Sequence, residues 1–221
     1  MRKSTMSIKY GPVPWAGVAI ALQLLCTVAL AAPASLPAVL SPAALEKLLA
    51  QAAGAYEREE VDVSVKLYAQ AAEQNSTLAE VRMGQFADSA QFYEEAAGWY
   101  LMAATQGNAE GQYNLGRLYE SGTGIEKDDA KALYWFKRAA DKRNLSAAKI
   151  IANSYRNGLF GLRVDLDLAS SWDAKVARWE VMERKAADEK IAAYMAARKK
   201  IFEEEQAKKK ALAEEAAKQG K

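Results

Sequence analysis

Residues 109–144 read AEGQYNLGRLYESGTGIEKDDAKALYWFKRAADKRN, and this stretch decides the fold. Tyr113, Leu115, Leu118 and Tyr119 lie at helical spacing, which predicts a first helix with one apolar stripe. Gly116 falls on that stripe without a side chain, so a neighbouring helix can approach closely. Gly122 and Gly124 end the helix and permit positive φ in the turn. Asp128 or Asp129 then caps a second helix, whose apolar face is Ala132, Leu133, Trp135, Phe136, Ala139 and Ala140.

Working outward, the same pattern recurs. Trp99, Trp135 and Trp172 are spaced by 36 and 37 residues. Ala96-Ala97-Gly98-Trp99-Tyr100 with Ala103-Ala104 matches Ala132-Leu133-Tyr134-Trp135-Phe136 with Ala139-Ala140. A third copy, Ala169-Ser170-Ser171-Trp172, departs from the pattern after the tryptophan. A period of this size means stacked helix pairs, because a single pair cannot bury its own apolar face. A tryptophan at a fixed helical slot is expected in the core, and the same expectation covers Tyr119 and Tyr155. Beyond residue 43 the chain contains no proline, as a nearly all-helical protein requires.

Tyr113-Asn114-Leu115-Gly116-Arg117-Leu118-Tyr119, Gly122-Thr123-Gly124, Asp128, Ala132, Trp135 and Ala139-Ala140 together resemble a Sel-1-like repeat, a relative of the tetratricopeptide repeat. The following unit keeps Tyr155, Gly158, Gly161, Asp165, Ala169 and Trp172, with Ala152 where the family usually has glycine. The preceding unit, about 78–108, keeps Gly84, Trp99 and Ala103-Ala104 but lacks the glycine loop. Residues 42–75 read as a degenerate first pair, opened by Ser41-Pro42. The resemblance implies an all-α fold: a right-handed α-solenoid of stacked antiparallel helix pairs with a long C-terminal helix. The expected organisation is a signal peptide over 1–31, a linker over 32–40, repeats over 41–177 and a charged C-terminal helix over 178–221.

The N-terminus carries Arg2, Lys3 and Lys9, then an apolar run from about 13 to 32 closing on Ala29-Leu30-Ala31. This is the layout of a cleaved secretory signal; the alternative is an uncleaved anchor in the inner membrane. Taking those three cations from the 30 basic groups leaves 27 against 28 acidic ones, so no single-signed field is available to attract nucleic acid. The one cysteine, Cys26, lies within the apolar run, so the exported chain needs no disulfide, which suits a periplasm.

The inventory narrows the chemistry. With no histidine and no cysteine after residue 31, the chain lacks the usual zinc ligands and the Ser-His-Asp and Cys-His arrangements. Ser146-Ala147-Ala148-Lys149 matches a Ser-x-x-Lys motif, without the companion motifs of penicillin-interacting enzymes. The acids Glu57, Glu59, Glu60, Glu94 and Glu95 are interspersed in amphipathic helices and read as a solvated face. No enzyme, no cofactor and no metal is expected.

From Val176 the chain reads as one long helix, apolar on one side to about residue 202. Trp179 and Met182 are expected to dock on the last repeat, and Glu204–Lys208 and Glu205–Lys209 pairs to solvate the remainder. The heptad is not sustained past Ile201, which argues against a strong coiled coil. Function in such stacks sits on exposed side chains; the candidate partner-binding residues are Tyr93, Tyr100, Tyr134 and Arg138. The resemblance implies a periplasmic scaffold holding envelope proteins together. Its variants are a structural subunit of an envelope machine such as the flagellar motor, and a secreted effector binding host proteins.

Overall fold

The structure, a computed structural model, describes residues 39–219, so the apolar N-terminal run and its cleavage pattern lie outside the described residues. Eight α-helices follow one another: α1 (Pro42–Glu57), α2 (Val61–Glu73), α3 (Thr77–Ser89), α4 (Tyr93–Thr105), α5 (Ala109–Ser121), α6 (Asp129–Asp141), α7 (Leu145–Asn157) and α8 (Leu166–Gln219). No strand occurs among the described residues. Each helix packs mainly on its immediate neighbours in sequence, which makes the molecule an α-solenoid of four pairs.

Local chemistry sets the boundaries. Side-chain oxygens of Ser41, Ser76, Asn108, Asp128 and Asn144 each accept a hydrogen bond from a free N–H in the first turn of the helix they precede. Asp165 does the same for α8, accepting from the Leu168 N–H at 2.9 Å. Three-residue turns join most helices, and their central residues, Glu59, Asn75, Gln91, Gly107 and Arg143, all have positive φ. One left-handed residue is enough to reverse the chain between packed helices. The longer α5–α6 loop uses Gly122 and Gly124, both left-handed, as their spacing predicts.

The core corrects the reading of the tryptophans. Trp99, Trp135 and Trp172 are half-buried, whereas the residues after the first two, Tyr100 and Phe136, are fully buried. One residue is about 100° of helix rotation, so the two slots face different neighbours. Tyr100 and Phe136 point at the first helix of their own pair, over Gly84 and Gly116. Trp135 packs on the cluster spanning α3 to α5, Trp172 on the one spanning α6 to α8, and Trp99 bridges two clusters. Tyr119 and Tyr155 are likewise only partly buried.

Gly84 and Gly116 are glycines because of those aromatic rings. A Cβ on Gly116 would lie 2.8 Å from Phe136 ring carbons, and one on Gly84 would lie 2.5 Å from Tyr100. In the last pair the position matching Phe136 is Asp173, which is exposed and paired with Arg156. No ring enters there, and Ala152 fits, fully covered, in the slot that elsewhere needs glycine.

Helix α8 does not break at residue 177: it serves as second helix of the last pair and continues beyond it. Val176 and Trp179 join the α6–α7 cluster, and Lys149 bridges to Glu180 at 2.7 Å. Met182, expected to dock, is half exposed; its sulfur accepts from Arg143 Nη2 at 3.3 Å. On the free half the ion pairs run from Lys199 to Glu203 and from Lys200 to Glu204, rather than forward to Lys208 and Lys209.

Candidate protein-binding site

Two surfaces combine aromatic and polar side chains. The first lies between α1 and α3, where Ala53, Tyr56 and Glu57 face Arg82, Gln85, Phe86 and Ser89 around a cavity of about 190 Å3, with Tyr68 of α2 beneath. Its wall is aromatic. Tyr56 meets Phe86 edge-on at 5.8 Å between ring centroids, and Tyr68 lies 6.1 Å from the same ring. Its rim is polar and continuous: Arg82 Nη1 donates to Gln85 Oε1 at 2.8 Å, and Gln85 Nε2 donates to Glu110 Oε1 of α5 at 2.6 Å.

The cavity is smaller than the several hundred Å3 usual for small-molecule pockets. Its volume is that of one large side chain, with ring edges at the wall and amide and charged groups at the rim. Tyr56 is 57% exposed, so the entrance is open.

The second surface is on α6. Arg138 Nη1 donates to Tyr134 Oη at 2.8 Å, and its guanidinium lies 5.5 Å from the Tyr134 ring centroid and 6.0 Å from that of Trp135. The Tyr134 and Trp135 rings meet edge-to-face at 5.0 Å. In this cluster Tyr134 and Arg138 are exposed and Trp135 is half-buried.

The four residues singled out from sequence therefore divide. Tyr134 and Arg138 are exposed and in contact with one another. Tyr100, expected on the surface, is instead a core residue, 2% exposed, because it fills the space that Gly84 leaves, and it is out of a partner's reach. Burial also raises its phenol pKa well above the usual value. Tyr93 is half-buried beneath the α5–α6 loop, where Gly124 presses on its backbone. Sequence reasoning missed Tyr56, Arg82, Gln85 and Phe86, which all lie on first helices of pairs, whereas every candidate lay on a second helix. Tyr56 carried one signal: 32 residues later the corresponding position is Asp88, so the aromatic is not part of the repeated core pattern.

Titratable groups add one buried carboxylate. Glu80 on α3 is fully buried, and both its oxygens accept from Gln106 Nε2, at 2.7 and 2.9 Å. Desolvation raises its pKa above the ordinary glutamate value despite that hydrogen bond. The contact ties α3 to the C-terminal end of α4. Among the described residues no group of acids is arranged to hold a metal ion. Lys149 of the Ser-x-x-Lys motif is engaged with Glu180.

The family model described as Sel1 repeat matches residues 58–76, 88–108 and 109–144. The chain carries Sel1 repeats over these residues. A solved Sel1 repeat protein from Oxalobacter formigenes is 29% identical, with a TM-score of 0.56, over 62% of this chain and 58% of that one. A protective antigen present in uropathogenic Escherichia coli strains, displaying an SLR fold, is 26% identical with a TM-score of 0.56, over 61% of this chain and 30% of that one. Among curated proteins, Chitin synthase regulatory factor 3 of Schizosaccharomyces pombe is 32% identical over 73 residues, which are 33% of this chain and 8% of that protein. This chain thus spans less than two thirds of the length of each of these relatives. The last pair, α7 with α8, lies beyond the residues the family model matches.

Proposed function

We propose that this Sel1-repeat chain is a non-catalytic, exported scaffold that binds protein partners in the bacterial periplasm and assembles or regulates proteins of the cell envelope. The observation that carries the binding role is the aromatic-walled, polar-rimmed cavity between α1 and α3, open to solvent and sized for one side chain. The polar rail Arg82–Gln85–Glu110 extends from it across successive first helices, as a surface for an extended partner segment would. Export rests on the basic start, the apolar run and Ala29-Leu30-Ala31. The regulatory role in the name of the fission-yeast relative agrees with a protein-binding stack.

A second reading, a secreted factor acting on host proteins, draws on the relative that is a protective antigen of uropathogenic strains. Fractionation separates the two, since periplasmic retention fits the scaffold and release into the medium fits the effector. N-terminal sequencing of the isolated protein should start at or near Ala32; a start at Met1 with membrane retention would make it a tethered scaffold. For binding itself, tagged full chain and its Arg82→Glu and Tyr56→Ala variants are used to capture proteins from producing cells. Loss of the same captured proteins in both variants, with unchanged melting temperature, is the expected result. Equal capture by all three removes the cavity from the account.

A further inference from the structure

Beyond Met182, none of the described residues covers the apolar side of α8. Ile191, Tyr194, Met195, Ile201 and Phe202 are each between 57% and 64% exposed. Ile191, Tyr194 and Ile201 continue the helix face that Val176 and Trp179 use against the repeats, with Met195 and Phe202 alongside. The face reaches past the end of the solenoid, so it is built for an occupant that the chain's own repeats do not supply.

We propose that the occupant is a second copy of this chain, paired antiparallel through residues 187–205 of α8. The charge pattern selects both the partner and the direction. Setting Ile191 of one copy against Ile201 of the other places Tyr194 against Arg198, a ring facing a guanidinium, and Lys190 against Glu204 on the flank. Two-fold symmetry makes each of these contacts twice. Within the same segment, parallel, in-register pairing would instead face Arg198 with Arg198 and Glu205 with Glu205. The paired segment is clear of the repeats, whose outermost tie to α8 is the Arg143–Met182 contact.

Five large side chains per copy bury roughly 1,000 Å2 in all, at the low end for a specific interface, so the dimer is weak and concentration-dependent. It joins two solenoids at opposite ends of a short helical bridge, giving the assembly two copies of the α1–α3 cavity. The pairing itself does not depend on what that cavity binds.

Sedimentation of the chain as isolated from producing cells, over a concentration series, should show monomer passing to dimer in about the micromolar range. Ile191→Glu and Ile201→Glu should each stay monomeric at every concentration with an unchanged melting temperature, because both positions are exposed in the monomer. For direction, Ile191→Cys and Ile201→Cys are made separately in a Cys26→Ser background, mixed and mildly oxidised. A disulfide joining the two different variants is expected. Disulfides formed by either variant alone would overturn the antiparallel arrangement. A parent chain that remains monomeric to about 1 mM overturns the proposal. So does a monomer whose Ile191→Glu variant loses binding to anionic phospholipid vesicles, which would assign the face to a membrane surface.

Discussion

Gly116 and Phe136 are one structural unit. The ring occupies the space a methyl group would need, so Gly116→Ala should destabilise the protein by about 1–3 kcal/mol through overpacking. In a Phe136→Ala background the same substitution should be nearly neutral, and urea denaturation of the four proteins measures that coupling. Phe136→Ala alone should cost about 3–5 kcal/mol as a fully buried ring. Trp135→Ala, at a half-buried seam position, should cost about 1–2 kcal/mol. If Trp135 proved the costlier of the two, the assignment of core and seam slots would be reversed. The sequence showed that position 135 repeats, and repetition is blind to which neighbour a slot faces. Glu80 supplies a pH test at the same scale. Its raised pKa means the native state holds the proton more tightly than the unfolded chain. The cost of ionising it is present at neutral pH and is relieved as pH falls through the raised value towards about 4.3. Melting temperatures of parent and Glu80→Gln should therefore shift relative to one another in the parent's favour between pH 7 and about 4.3. A difference that stays flat with pH would mean Glu80 is solvated.

At the scale of helices and turns, much was legible. Side-chain caps and glycine turns are local chemistry, so Ser41, Gly122 and Gly124 could be placed before any packing was known, and the cap of α6 narrowed to Asp128 or Asp129, of which the structure uses Asp128. The tight turns through Glu59, Gln91 and Arg143 were not legible, because nothing in those residue types asks for positive φ. Packing of the flanking helices imposes it. Gly107 occupies the matching slot in one turn, and Gln91→Gly should remove left-handed strain worth about 1 kcal/mol, less the entropy a glycine adds to the unfolded chain. A small rise in melting temperature is expected; a clear fall would show that the turn is not strained. The α1–α3 cavity was illegible for a related reason. Tyr56 and Phe86 are 30 residues apart and meet only because α1 and α3 stack, whereas the tyrosines visible to pattern analysis belonged to the repeat itself.

Across the whole molecule, nearest-neighbour packing divides α8 into a half that completes the solenoid and a half that leaves it. Truncation after Phe202 should leave the melting temperature of dilute protein nearly unchanged, since the exposed Lys–Glu pairs removed or broken are worth only about 0.2–0.5 kcal/mol each. Truncation before Trp179 removes its seam packing and the Lys149–Glu180 bridge, and should destabilise or aggregate the chain. Equal stability of the two would mean that α8 caps nothing. The central claim is that a Sel1-repeat stack binds protein partners on its first-helix side. The direct measurement places a photo-crosslinking residue at Tyr56, and separately at Lys66 on α2, in the full chain inside producing cells. Discrete adducts with the same one or few proteins should form from position 56 and not from position 66. Adducts from position 66 with none from position 56 would contradict the account and move the binding face to the other side of the solenoid.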